Sequence, residues 1–203
     1  MVIRAMFLTL FLFVLQSSQA LAAMDYDFFG TMPYHNSILK FQFNVSTPGN
    51  RTFFSSSWDD GGFDPMLGLW NQAGNLVYFQ DDGLNGGSTP SNGVQYTHGG
   101  WDSYYSVNLM PGSYILTLST FDNFNIGDQL SQGFLRDNDA PIPIAEWYQP
   151  ANGYRASRYA FHILNVDAAV INDPALPTPE PSTILLMGLG FGALTLLRSR
   201  LRP

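Results

Sequence analysis

Apolar and polar side chains alternate in short runs along the middle of the chain. In residues 37–45, SILKFQFNV, Leu39, Phe41, Phe43 and Val45 alternate with Ile38, Lys40, Gln42 and Asn44. A period of two carried by aromatic and branched residues predicts a half-buried strand. Thr47-Pro48-Gly49-Asn50 is a turn, so residues 51–57 are expected to return as its partner. Strands are expected over 66–70 and 76–80 around the turn 71–75, and again over 101–109. Residues 113–119, SYILTLS, follow the Met110-Pro111-Gly112 turn and give the clearest strand. Residues 158–166, RYAFHILNV, read as the closing strand, and an aromatic stretch at 26–30 opens the series. Between these, 81–100 reads as a long Gly/Ser/Asn loop, and 131–152 as an irregular excursion with a short hairpin. Residues 167–178 read as linker. Short strands, frequent turns and no amphipathic helix predict an all-β domain over 24–166, a single antiparallel β-sandwich.

The two ends differ from this pattern. Residues 1–23 carry one basic residue, Arg4, an apolar run over 5–15, and Ala20-Leu21-Ala22-Ala23. That order predicts a secretory signal peptide cleaved near Ala22 or Ala23, with an uncleaved anchor as the alternative. Residues 179–203 run from Pro179-Glu180-Pro181 through an uncharged stretch, 182–197, to Arg198, Arg200 and Arg202. Positive charge behind an apolar run predicts a single-pass helix with its arginine end in the cytoplasm. At about 1.5 Å per residue the stretch reaches roughly 24 Å, against about 30 Å of hydrocarbon, and snorkelling arginines make up part of the difference. A buried C-terminal helix is the competing reading.

The tail resembles the PEP-CTERM sorting signal of Gram-negative bacteria: Pro-Glu-Pro, a short glycine-interrupted apolar helix, then arginines at the C-terminus. The same segment also carries the label of an ice-binding protein C-terminal domain, which implies no ice binding. The resemblance implies Sec export and a transient stay in the inner membrane. It further implies recognition of Pro179, Glu180 and Pro181 by an exosortase, and delivery to the cell surface or extracellular matrix in association with exopolysaccharide and biofilm. The middle of the chain is similar to the bacterial pre-peptidase C-terminal (PPC) type of β-sandwich. The likeness rests on FDPMLGLWNQAGNLVYFQDDG and NLMPGSYILTLSTFDNF, with the Gly-Gly-Phe-Asp-Pro start at Gly61 to Pro65 and Ser131 to Phe134 later in the chain. It implies a jelly-roll-like accessory module without catalysis.

Charge narrows the partners. Residues 24–178 hold five basic against fifteen acidic side chains, a balance of −10 that argues against nucleic acid. The chain has no cysteine, so the domain stands on its core, for which twelve of the sixteen Phe and all ten Tyr lie within 24–178. Asp59, Asp60, Asp64, Asp81 and Asp82, with Asp102 and Asp122 further off, lie in loops rich in Gly and Asn. Carboxylates on flexible loops suit calcium, although their spacing is not that of an EF-hand. Solvated Asx-turns are the competing reading, with Asp64 before Pro65 as a turn-stabiliser. No cofactor is required, and Ca2+ is the cation these donors would take. Of Trp58, Trp70, Trp101, Trp147 and Tyr148, the two beside the acidic and Gly-rich loops, Trp58 and Trp101, are the candidates for stacking on sugar rings. His35, His98 and His162 are scattered, Glu146 is the only Glu before the sorting motif, and no nucleophile motif is present. The expectation is therefore a non-catalytic exported surface or matrix protein. A calcium- or carbohydrate-binding module is the alternative, and a glycoside hydrolase comes last.

Overall fold

The computed structural model describes residues 23–83 and 86–172. The signal peptide, the linker from 173 onward, and the sorting tail with Pro179, Glu180, Pro181 and the three arginines lie outside the described residues. In chain order the strands are β1 (Met24–Thr31), β2 (Leu39–Val45), β3 (Gly49–Ser55), β4 (Pro65–Asn71), β5 (Leu76–Gln80), β6 (Gly87–Ser91) and β7 (Val94–His98). They continue as β8 (Tyr104–Leu109), β9 (Gly112–Thr120), β10 (Tyr148–Gln149), β11 (Gly153–Tyr154), β12 (Arg158–Val166) and β13 (Ala168–Asn172).

The alternation in β2 is realised position by position: Leu39, Phe41, Phe43 and Val45 are buried, and Lys40, Gln42 and Asn44 exposed. That inner face meets a second sheet. Strands β1, β12, β3 and β8 form one four-stranded sheet in that order, and β13, β2, β9, β4 and β5 form a five-stranded sheet. All pairings within them are antiparallel. Phe41 of β2 lies 4.8 Å from Phe161 of β12 and 5.0 Å from Phe28 of β1, and Phe43 lies 5.2 Å from Phe53 of β3. The two sheets thus share one aromatic core, an arrangement that fits a β-sandwich. Consecutive strands mostly pass from one sheet to the other, and β4–β5 is the single hairpin inside either.

Two stretches depart from expectation. The loop expected over 81–100 contains the β6–β7 hairpin. Its turn is Asn92-Gly93, at φ 48° and 80°, the left-handed pair that a two-residue hairpin requires. The composition of β6, Gly-Ser-Thr-Pro-Ser, hides the pattern. Gly93→Ala should loosen this hairpin by about 1 kcal/mol, because alanine is strained at that φ. Faster amide exchange confined to 87–98 would show it. The linker expected from 167 starts later, since Ala168–Asn172 pairs with β2 from Asn44 to Lys40. Its small side chains, with only Ala169 buried, conceal an edge strand.

The excursion after β9 holds 3₁₀ turns at Leu130–Gln132 and Ile144–Glu146 and the β10–β11 hairpin. Ile144 and Trp147 from this segment join the core cluster. Trp147 is covered by the guanidinium of Arg136 at 5.3 Å and by His35 at 5.2 Å. It is therefore a core plug, and Trp70, fully buried with its indole N–H donated to Thr117 Oγ1, is another.

Candidate metal centre

The β4–β5 hairpin decides which acidic residues meet. Its register pairs Leu67 with Gln80, so the residues preceding β4 and following β5 emerge together at one end. Asp64 enters from one side, and Asp81 and Asp82 from the other. One carboxylate oxygen from each lies within 4.8 Å of the others. Asp64 is buried, and Asp81 and Asp82 are half-buried.

Asp64 is no Asx-turn residue. Its Oδ2 accepts from Asn152 Nδ2 at 2.5 Å and its backbone N–H donates to Gln149 Oε1, both from the far excursion. The Oδ1 atoms of Asp64, Asp81 and Asp82 are all buried without a hydrogen-bond partner. Burial, then the neighbouring Asp81 and Asp82 charges, push Asp64 up to about 7. Burial and Asp82 push Asp81 up to about 6, and burial raises Asp82 as well. Three carboxylates that resist ionising side by side form a donor set whose chemistry a hard dication would satisfy.

Asp59 and Asp60 are exposed and stand apart from this trio. Their loop, 56–62, is held by other means. Gly62 takes part because a Cβ there would come within 2.7 Å of the Ser57 carbonyl and 2.8 Å of the Arg158 carbonyl. Asp102 is buried and accepts from Ser55 Oγ, the Ser57 and Trp58 N–H groups and the Gly99 N–H, so it is an internal tie. Asp122 pairs with Arg136. Trp101 is 45% exposed, and its ring lies 5.5 Å from that of Trp58. Trp58 is half-buried, with the Arg155 guanidinium over its ring at 3.6 Å. Tyr148 is exposed.

His162 is more than a strand residue. It is fully buried and hydrogen-bonded to Asp27 and Ser56, which no spacing in the sequence announces. Among the described residues, no helix is long and apolar enough to cross a membrane.

In comparison with known families, residues 177–201 match the PEP-CTERM protein-sorting motif. That motif marks exported proteins recognised by an exosortase and processed at the membrane for the cell surface, and here it contains Pro179, Glu180 and Pro181. No curated protein matches the chain.

Proposed function

We propose that this chain is a surface or extracellular-matrix protein whose β-sandwich is locked by a calcium ion at Asp64, Asp81 and Asp82. The sorting motif supplies the address. Residues 1–23 direct Sec export, residues 182–197 hold the chain in the inner membrane with Arg198, Arg200 and Arg202 on the cytoplasmic side, and the exosortase completes delivery. The sandwich is the part displayed among exopolysaccharide, and its PPC-like, jelly-roll character belongs to the same reading. Trp101, half in solvent beside Trp58, offers a ring face to the sugars of that matrix.

The observation that carries the cation is the meeting of three carboxylates at one hairpin end, each of them with a buried oxygen that has no hydrogen-bond partner. Calcium accepts carboxylate oxygens in flexible geometry, and Asp81 and Asp82 retain enough exposure for water to complete the shell.

The test is the melting midpoint of the full-length protein in detergent, with millimolar calcium and with EDTA. A ligand of the folded state stabilises by mass action, about 2.7 kcal/mol at a hundred times its Kd, so calcium should raise the midpoint clearly. The pH dependence has a definite sign. Above about pH 4 the unfolded chain ionises Asp64 and Asp81, while the folded site keeps the Asp81 proton to about pH 6 and the Asp64 proton to about pH 7. The calcium-free protein therefore loses stability from this site as pH rises through that window. Calcium binds the ionised form and should shift the midpoint more at pH 8 than at pH 5. Asp64→Asn should raise the EDTA midpoint at pH 8 and remove the calcium response. An unchanged wild-type midpoint across calcium concentrations would end this reading.

A further inference from the structure

We propose that Ser56, His162 and Asp27 form a nucleophilic relay that hydrolyses short-chain carboxylic esters. The three are brought together by strand register on the outer face of the four-stranded sheet. Asp27 of β1 lies directly opposite His162 of β12, and His162 lies opposite Phe54 of β3. Ser56 stands two residues beyond Phe54, on the same face just past the strand end.

The geometry is that of a base poised on a hydroxyl. His162 Nδ1 is 2.6 Å from Asp27 Oδ1, and Nε2 is 2.8 Å from Ser56 Oγ. Burial works to raise Asp27, but hydrogen bonds from His162, Ser91 and Asn92 outweigh it and hold the carboxylate below its usual range. Burial lowers His162 more than Asp27 raises it, so the ring is neutral at pH 7. An ionised Asp27 accepts from Nδ1–H, which leaves the Nε2 lone pair for the serine proton. Such a constellation is recognised by geometry, independently of any sequence motif.

Part of this network has a simpler use. Ser91 and Asn92 bind Asp27 and thereby fasten the β6–β7 hairpin over His162, whose ring lies 4.1 Å from Tyr96 and 4.4 Å from Phe54. Ser56 has no part in that fastening. Instead it opens on a cavity of about 300 Å³, walled by Phe29, Tyr96, Arg158 and Asp60. That volume is at the small end for ligand sites and takes an acyl group of a few carbons with part of its alcohol. Phe29, 60% exposed, gives the mouth an apolar lip.

The reaction balances with water as the only co-reactant. Ser56 Oγ attacks the ester carbonyl carbon and its proton passes to His162 Nε2. Arg158, the cationic residue among those lining the cavity, supplies the positive charge for the oxyanion that forms. Collapse breaks the carbonyl–alkoxy bond, and His162 returns the proton to the leaving alcohol. Water, deprotonated by His162, then attacks the acyl group, the bond to Ser56 Oγ breaks, and serine and a carboxylic acid are released. Asp27 keeps its charge throughout and acts as a positioning residue.

The experiment uses the full-length protein in detergent with a fluorophosphonate probe and with p-nitrophenyl acetate. Peptide mapping should place the label on Ser56, and heat-denatured protein should take none. Ser56→Ala should lose the label and at least about a hundredfold of the esterase rate while keeping its melting midpoint. Ser57→Ala should retain both. Asp27→Asn should displace the pH profile of labelling, which a purely structural Asp27 would leave in place. The other titratable groups near the ring, His98 and Tyr96 on β7 and Asp102 beyond it, are unchanged in these variants. Absence of label on Ser56, or equal hydrolysis by wild type and Ser56→Ala, would overturn the proposal.

Discussion

Asp102→Ala should cost the sandwich about 3–5 kcal/mol of unfolding free energy, read as a lower urea midpoint at unchanged slope. The side chain is 1% exposed, and among the described residues it belongs to no ion pair. Its Oδ1 receives Ser55 Oγ at 2.8 Å and the N–H groups of Ser57 and Trp58 at 3.2 and 3.3 Å, and Oδ2 receives the Gly99 N–H at 2.9 Å. Alanine would strand those donors, and each buried orphan costs about 1–3 kcal/mol before relaxation and entering water reduce the sum. The loss should be accompanied by a red-shifted tryptophan emission, because the same bonds hold the loops carrying Trp58 and Trp101. A midpoint within about 0.5 kcal/mol of wild type would show that these loops find other partners.

Phe41→Ala should be comparably severe, at about 3–5 kcal/mol. Phe41 is wholly buried and touches Phe28, Phe161 and Tyr159, so it is where the five-stranded sheet grips the four-stranded one. Those neighbours belong to paired strands and cannot close over the space left behind. Phe29→Ala, one position from Phe28 but 60% exposed, should change stability by less than about 0.5 kcal/mol. Urea unfolding of the two variants side by side tests the contrast, and a small effect at position 41 would place the inter-sheet contact elsewhere.

Where one face of a strand is buried and the other wet, the chain announced it. Strand β2 was legible from alternation in this way. Strands β9 and β12 were also expected, β12 over the same 158–166, although each buries consecutive residues on both faces. Legibility failed where burial comes from small or polar residues. The β6–β7 hairpin lies under a Gly/Ser/Thr-rich composition, although Asn92-Gly93 is a strong turn signal that could have found it. Strand β13 is Ala-Ala-Val-Ile-Asn, which pairs by backbone and buries little. At the acidic site, composition alone grouped five aspartates. Folding the 71–75 turn into a hairpin would have set Asp64 beside Asp81 and Asp82 and left Asp59 and Asp60 out. The Asp27–His162–Ser56 contact was beyond reach, because it depends on which strands are neighbours across 135 residues of chain.

The crossing of strands between sheets has a consequence for the order in which the protein comes into being. Among the described residues the sheet partner of β1 is β12, and β12 also separates β1 from β3. A chain emerging N-terminus first therefore has its opening strand unclaimed until Arg158–Val166 arrives. Until then the aromatic face of β1 has no sheet to join, and the long-range pairings that close the core are slow by nature. The four-stranded sheet is therefore completed only near the end of synthesis, when β12 slots between β1 and β3.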